Sequence, residues 1–233
     1  MSDGLSVHPP ASPLYRVGRA PDPLAWPDWQ YADPATATFG NRWDDPSGLY
    51  RVLYTSASRL GCYLECLSRY RPDPQVVAGL EAIKDNGELP PTAAAGIVPA
   101  SWAKNRMIGR VDVAKGIFAD VAASDSLGIL NRQMAAVLIE FNLSELDAAT
   151  IRLKAPRDFT QRVSRFVFEA STKSGDLFSG IYYRSRLGDD VENFALFEGP
   201  DRWVLENDVK QPIELDDPEL IEAVRILGVA IGD

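Results

Sequence analysis

The sequence predicts an α+β protein, because strand-like segments cluster toward both ends of the chain and helical patterns lie between them. No G-x-G-x-x-G motif follows a strand-like segment, so a Rossmann dinucleotide site is not supported. The 233 residues are 45% hydrophobic and 24% charged, which is ordinary for a globular domain with a substantial core. We therefore expect one α+β domain and no regular βαβ alternation.

The domain is expected to follow a short leader. Residues 1–13 contain three prolines and predict a flexible segment. Residues 14–233 are interpreted as a single domain with a helical insertion around 70–175. A proline-rich stretch over 21–34 carries two tryptophans, which are rarely left exposed, so we predict an ordered loop there.

Two strands and a helix are predicted next. The segments LYRV at 14–17 and LYRVLYTS at 49–56 are rich in β-forming residues with partial alternation. A helical stripe of leucines then covers about 57–70, and either Ser56 or Ser58 is available to cap its first turn.

The middle of the chain is predicted to be mainly helical. A helix is expected over 73–87, followed by one or two strands within 106–121. Another helix should begin at Ser124 or Ser126, with an apolar stripe that continues to Phe141.

The last third returns to strands. Thr160 is predicted to cap a helix that runs to Ser171. Asp217-Pro218 should open a final helix that stops at Gly228. Between these two helices the sequence predicts strands near 180–185, 193–198 and 202–206.

The charge of the chain is concentrated at its C-terminal end. The net charge is −9, and residues 187–233 hold 13 acidic against three basic residues. This balance argues against direct nucleic-acid binding. No stretch approaches the roughly 20 apolar residues of a membrane span, and the N-terminus lacks the basic and apolar regions of a secretory signal. We therefore expect a cytoplasmic protein without a membrane partner.

The cysteine and histidine content excludes several kinds of catalysis. Cys62 and Cys66 lie one helical turn apart and are interpreted as free thiols, because a disulfide is geometrically poor at that spacing. His8 is the only histidine and lies in the leader. We therefore expect no metal site, no zinc hydrolysis and neither Cys-His nor Ser-His catalysis.

Several short motifs stand in order along the chain. They are Tyr15-Arg16, then Gly40-Asn41-Arg42-Trp43 before Pro46 and Gly48, then Leu53-Tyr54, then Leu64-Glu65 on a helix, then VPASW at 98–102, and finally Gly180 to Arg186 followed by Asn193 to Phe197. In this order they resemble the RES domain family, over about residues 14–206. Each motif alone is weak, and their order is what makes the match specific.

The resemblance implies a fold, a substrate and a partner. It implies a core of mostly antiparallel strands like that of ADP-ribosyltransferase toxins, with surrounding helices. It implies NAD as substrate and the role of toxin in a two-gene toxin–antitoxin pair. The antitoxin would be a separate protein with an Xre-like helix-turn-helix domain. The oligomeric state stays open, a homo-oligomer included.

The same residues suit the chemistry of NAD cleavage. Arg16 and Arg42 are candidates to bind the pyrophosphate, since a planar guanidinium donates two parallel hydrogen bonds. Glu65 is the only Glu in the first 80 residues and is placed to stabilise positive charge on the ribose. Tyr54 offers a flat face and a hydroxyl to the nicotinamide, and Ser185 can hydrogen-bond a substrate amide or ribose hydroxyl. We assign catalysis to Glu65, Arg16 and Ser185, and NAD binding to Arg16, Arg42, Tyr54 and Ser185.

Each of these residues also has an ordinary structural interpretation. Arg16 could pair with a surface acid, Arg42 could stack on the neighbouring indole, and Glu65 could be a solvated helix residue. Arg184 and Arg186 flank Ser185, and either could take the phosphate role given to Arg42.

Three functions follow from these assignments. The first is an NAD-consuming toxin that cleaves the nicotinamide–ribose bond by hydrolysis or phosphorolysis. The second is an ADP-ribosyltransferase that modifies a protein. The position two before Glu65 is Tyr63, where protein transferases of this fold often carry an acid. This argues against transfer to an arginine side chain and leaves other acceptors open. The third is a noncatalytic module whose acidic C-terminal region docks a basic partner.

Overall fold

The fold is centred on one large sheet in a computed structural model that describes residues 4–72, 75, 96–152, 156–199 and 201–232. The strands of these residues are β1 (Val7–His8), β2 (Leu14–Arg19), β3 (Val52–Ser56), β4 (Ile97–Pro99), β5 (Arg106–Lys115), β6 (Phe118–Asp120), β7 (Gly180–Arg184), β8 (Glu192–Phe197), β9 (Val204–Pro212) and β10 (Ala230–Gly232). The helices are α1 (Arg59–Leu67), α2 (Ser101–Lys104), α3 (Ser124–Gln133), α4 (Ala135–Glu140), α5 (Ala148–Arg152), α6 (Arg157–Glu169) and α7 (Pro218–Leu227).

Eight of these strands form the main sheet, in the order β1-β6-β7-β8-β3-β2-β5-β9. Every neighbouring pair is antiparallel except β6 and β7, which are parallel. Strands β4 and β10 pair in a separate parallel ladder. The predicted α+β class with mostly antiparallel strands is therefore confirmed.

Two helical layers cover the sheet through separate cores. Helices α3 to α6 pack against β3, β7 and β8 in an apolar cluster that includes Leu130, Phe159 and Phe197. Helices α1 and α7 pack against β2 and β5 in a second cluster that includes Leu64, Leu220 and Ile108. None of the helices in the described ranges is long and apolar enough to cross a membrane.

Helix α1 begins where the sequence predicts, and Ser58 is the cap. Its hydroxyl oxygen accepts a hydrogen bond from the Gly61 backbone N–H at 3.0 Å. Gly61 is needed because a Cβ there would lie 2.3 Å from the Ser56 hydroxyl oxygen. The absence of a side chain at Gly61 therefore allows the helix to start close to the end of β3.

Helix α7 also begins and ends as predicted. Asp217 caps its first turn by accepting from the Glu219 backbone N–H at 3.0 Å, and Gly228 ends it in the left-handed conformation with φ of +65°. The Asp217 carboxylate also accepts from the Tyr63 hydroxyl at 2.7 Å and forms an ion pair with Arg59. One buried carboxylate thus joins α7 to α1.

Several predicted boundaries differ from the structure. Helix α6 starts at Arg157, and Thr160 does not cap it, because its hydroxyl instead donates to the Arg157 carbonyl at 2.9 Å. The predicted helix through Phe141 is two helices, α3 and α4, which meet at Met134. The helix expected over 73–87 lies outside the described residues, and β10 was not predicted.

Parts of the predicted leader and of the predicted helical insertion form strands of the main sheet. Residues 4–13 lie against the sheet, where Val7–His8 pair with β6 and the His8 ring stacks on Tyr182 with centroids 3.6 Å apart. The segment 70–175 was predicted to be mainly helical, but it also contributes β5 and β6 to the main sheet.

We expect Asp217→Ala to lower the free energy of unfolding by about 3 kcal/mol, since it removes a helix cap and leaves the buried Tyr63 hydroxyl without its acceptor. Burial alone would raise the pKa of Asp217, but hydrogen bonds from Tyr63, Arg59 and Glu219 together lower it. A lowered carboxyl pKa stabilises the fold above the unfolded pKa of about 3.9, and this stabilisation is lost as the pH falls further.

Urea denaturation of the parent and of Asp217→Ala between pH 3 and pH 7 checks this expectation. Asp216→Ala is the matched control, because Asp216 is the exposed neighbour. Equal unfolding midpoints for the two variants would show that Asp217 does not join the helices.

Candidate active site

A cavity of about 700 Å³ opens beside α1, between β2, β3 and the ends of β7 and β8. Its volume lies in the range of small-molecule sites. All five residues predicted for catalysis or NAD binding line it, and they are Arg16, Arg42, Tyr54, Glu65 and Ser185. Residues far apart in the sequence are thus brought together at one concave surface.

The cavity exists because β2 and β3 separate. A single residue pair, Tyr15 with Ser56, joins these strands. Beyond that pair the Arg16 guanidinium bridges the gap, donating from Nη1 to the Tyr54 carbonyl at 2.9 Å and from Nε to the Pro23 carbonyl at 2.9 Å. A side chain thus satisfies a carbonyl that a continuous ladder would have paired.

Arg16 carries its charge in a sheltered place. Burial lowers the pKa of this guanidinium from its ordinary value. Arg16 forms no ion pair with any carboxylate of the described residues, so its partners there are neutral carbonyl groups. The expected alternative, in which Arg16 pairs with a surface acid, is wrong.

Glu65 is exposed to the cavity and is held by a buried amide. Its Oε1 accepts a hydrogen bond from Asn193 Nδ2 at 2.9 Å. Asn193 is only 1% exposed, and it lies in register with Ser56 on one side and Tyr183 on the other. Asn193 was predicted only as the start of a strand, because nothing in the neighbouring sequence connects it to a helix residue 128 positions earlier in the chain.

Tyr54 presents its ring to the cavity, but its hydroxyl is engaged elsewhere. The hydroxyl donates to Asp44 Oδ1 at 2.9 Å and accepts from the Trp43 backbone N–H at 2.9 Å. Burial, and then the charge of Asp44, raises the pKa of Tyr54 well above its ordinary value. The predicted role of this hydroxyl in orienting a substrate is therefore not supported by its contacts.

Arg42 also differs from its predicted role. Its Nη1 donates to the Ile151 carbonyl at 2.9 Å and its Nη2 to the Arg152 carbonyl at 3.1 Å. Nearby, Arg157 donates to the Gly40 carbonyl at 2.8 Å. Both arginines fasten the loop that forms one wall of the cavity to helices α5 and α6. Arg42 is thus largely committed to this loop.

Ser185 directly follows β7 and is buried beside the cavity. Its hydroxyl oxygen accepts from the Leu187 backbone N–H at 2.9 Å, so its own hydrogen is free to donate. The neighbour Arg186 lines the cavity, whereas Arg184 does not. Of the two flanking arginines, only Arg186 is placed for a ligand.

The lining is strongly electropositive. In the part of the chain that the structure describes, it holds five arginines against one carboxylate, Glu65. The arginines are Arg16, Arg19, Arg42, Arg69 and Arg186. This charge contrasts with the net charge of −9 for the chain and suits an anionic ligand.

Three other polar or reactive side chains near the cavity are buried or engaged elsewhere. Burial raises the pKa of both Cys62 and Cys66, so these thiols stay protonated. Tyr63 is fully buried and bonded to Asp217, so it points away from the cavity. Within the described residues no group of three potential ligands that could hold a metal ion is found.

Comparison with known proteins gives one family match. Residues 13–216 match the RES domain. No curated protein matches the chain significantly. Among solved structures, the M. tuberculosis MbcT-MbcA toxin-antitoxin complex is similar with a TM-score of 0.48 and 12% identity, covering 97% of this chain and 92% of that chain.

We expect Tyr54→Phe to lower the free energy of unfolding by about 1–3 kcal/mol, because Asp44 and the Trp43 N–H both lose a buried partner. Burial raises the pKa of Asp44, although hydrogen bonds from Asn41 and Tyr54 oppose the shift. The substitution should raise this pKa further. A raised carboxyl pKa costs stability as the pH rises, so the loss should be larger at pH 7 than at pH 4.

Chemical denaturation at the two pH values checks this expectation. Tyr183→Phe is the matched control, because the Tyr183 hydroxyl makes no hydrogen bond with the described residues. If Tyr54→Phe lowered the free energy of unfolding by the same amount at pH 4 and at pH 7, the role given to Asp44 would be contradicted.

Proposed function

The chain belongs to the RES domain family, and from that premise we propose that it is an enzyme that cleaves the nicotinamide–ribose bond of NAD. One observation carries this proposal. Among the described residues, the cavity places one carboxylate, fixed by a buried amide, near five arginines. An anionic dinucleotide with a cleavable, positively charged base fits that distribution of charge.

Glu65 is the catalytic residue of the proposal. Departure of nicotinamide leaves positive charge on the ribose, much as the departure of an alcohol does in glycoside hydrolysis. The Asn193 amide occupies Oε1 of Glu65, which leaves the second carboxylate oxygen available to the ribose. A carboxylate fixed in advance stabilises the developing charge without having to reorganise.

The nicotinamide end is proposed to lie against β3 and β7. The rings of Tyr54 and Tyr183 both line the cavity there and offer flat faces to the base. Ser185 has a free hydroxyl hydrogen for the carboxamide oxygen. In this arrangement the Tyr54 ring contacts the base, and the Tyr54 hydroxyl stabilises the cavity wall through Trp43 and Asp44.

Arg16 supplies the inner positive charge. Its Nη2 makes no hydrogen bond with the described residues, so it can donate to a substrate phosphate or ribose oxygen. The two carbonyl contacts on its other nitrogens fix its orientation. The guanidinium therefore has two roles in the proposal. It spans the gap between β2 and β3, and it binds the substrate.

The family resemblance supports a biological role for this reaction. We propose that the protein is the toxin of a two-gene pair that depletes cytoplasmic NAD, and that a separate antitoxin with an Xre-like helix-turn-helix domain opposes it. Water, inorganic phosphate and a protein side chain are the three acceptors to be separated. Free ADP-ribose, ADP-ribose phosphate and labelled protein are their respective products.

We expect Glu65→Gln to lower NAD consumption by about 10²–10⁴-fold, because the amide keeps the shape but removes the charge that stabilises the transition state. Nicotinamide release by the purified protein is the measurement, with thermal unfolding to show that the fold is intact. Glu145→Gln is the matched control, since it makes the same exchange at an exposed position outside the cavity. Full activity in Glu65→Gln would remove Glu65 from the chemistry.

A further inference from the structure

Two elements run away from the reaction centre in the same direction. Strand β2 leaves the Tyr15–Ser56 pair and ends at Arg19, and α1 starts beside Ser56 and is followed by a single 3₁₀ turn that carries Arg69. The helix and the strand contact each other along this course. Arg19 and Arg69 both line the cavity, so they mark its far end.

A third arginine stands behind these two. Arg106 on β5 lies directly opposite Arg19 in the antiparallel ladder. Burial, and then the positive charge of Arg69, lowers the pKa of Arg106, and Arg19 adds to this effect. Arg106 therefore lies close enough to both Arg69 and Arg19 to be repelled by their charges.

Nothing in the described residues neutralises this cluster. Arg19, Arg69 and Arg106 form no ion pair with a described carboxylate. Each guanidinium instead lies over an aromatic ring, with Arg19 5.0 Å from the Tyr31 centroid, Arg69 4.9 Å from that of Tyr70 and Arg106 5.2 Å from that of Trp102. These contacts hold the arginines in place without cancelling their charge.

The spacing matches the chemistry of a dinucleotide. Arg69 follows Glu65 by four residues, which corresponds to about 6 Å along a helix axis. In NAD the diphosphate is attached through one methylene to the ribose that Glu65 is proposed to contact. A diphosphate must therefore lie within about one sugar length of Glu65, and a long arginine side chain about one helical turn further along can reach it.

We propose that Arg19 and Arg69, backed by Arg106, form the diphosphate-binding end of the cavity, in place of Arg42. The proposal rests on the proposed function for the identity of the substrate. The nicotinamide then points toward Ser185, and the adenosine extends beyond Arg19 and Arg69. Arg42, whose guanidinium is committed to the carbonyl groups of Ile151 and Arg152, acts on the shape of the wall.

The test is steady-state kinetics with NAD on Arg19→Gln, Arg69→Gln and the double variant. Each single variant should raise KM about tenfold, the loss expected for a charge-assisted hydrogen bond. The kcat should change little, because the diphosphate carries the same charge in the ground state and the transition state. The double variant should show a non-additive rise in KM if both side chains bind one diphosphate.

Arg132→Gln is the control for the change in net charge, because Arg132 is an exposed arginine on α3.

Three outcomes of the kinetics would overturn the inference. The first is an unchanged KM for NAD in both single variants. The second is a rise in KM that follows Arg42→Gln or Arg186→Gln alone. The third is a raised KM for inorganic phosphate with an unaltered KM for NAD, which would assign the arginines to an attacking phosphate.

A binding measurement separates this inference from the proposed function. Calorimetric titration with ADP-ribose needs no turnover. If the parent binds ADP-ribose and the Arg19 and Arg69 variants bind it about tenfold more weakly, the diphosphate site stands even when no NAD is consumed. Equal affinities, or no binding by the parent, would overturn the inference whether or not the protein is an enzyme.

Discussion

The separation of β2 from β3 is the constraint on which the rest of the site depends. Two strands joined by one residue pair leave backbone groups without ladder partners, and buried groups of this kind must be satisfied in another way. Arg16 satisfies one of them through its contact with the Tyr54 carbonyl. A cationic side chain is thereby built into the sheet, and the gap that it spans becomes the cavity. A neutral side chain of similar reach would close the hydrogen bond but would leave the cavity without its inner charge.

The charge of the cavity differs in sign from that of the chain. The chain is acidic overall, and its excess of acids lies in residues 187–233. The cavity draws on arginines from β2, the loop before β3, the segment after α1 and the segment after β7. Among the described residues of the lining, Glu65 is the only carboxylate. A concave surface of one sign focuses its field and raises the local concentration of ligands of the opposite sign.

Local signals were sufficient to predict much of the fold and the membership of the site. Ser58 and Gly228 are cap residues whose preference is set by the adjacent turn, so α1 and the end of α7 followed from the sequence. The order of the motifs brought Arg16, Glu65 and Ser185 into one group. Long-range contacts could not be predicted in the same way. The carbonyl partners of Arg42 lie 109 and 110 residues away, and no pattern near Arg42 indicates them. The start of α6 was misplaced because a threonine inside a helix resembles a cap.

In the proposed reaction, the contact with Asn193 allows the Glu65 carboxylate to act among the arginines of the lining. An arginine partner would hold Glu65 equally well, but it would offset the negative charge that the ribose needs. The Asn193 amide holds one carboxylate oxygen at 2.9 Å and carries no charge of its own. It is itself almost fully buried and fixed in register between Ser56 and Tyr183. The sheet therefore fixes the geometry of Glu65 without cancelling its charge. None of the five arginines of the lining forms an ion pair with a described carboxylate, so their charge is left for the anionic part of the proposed ligand.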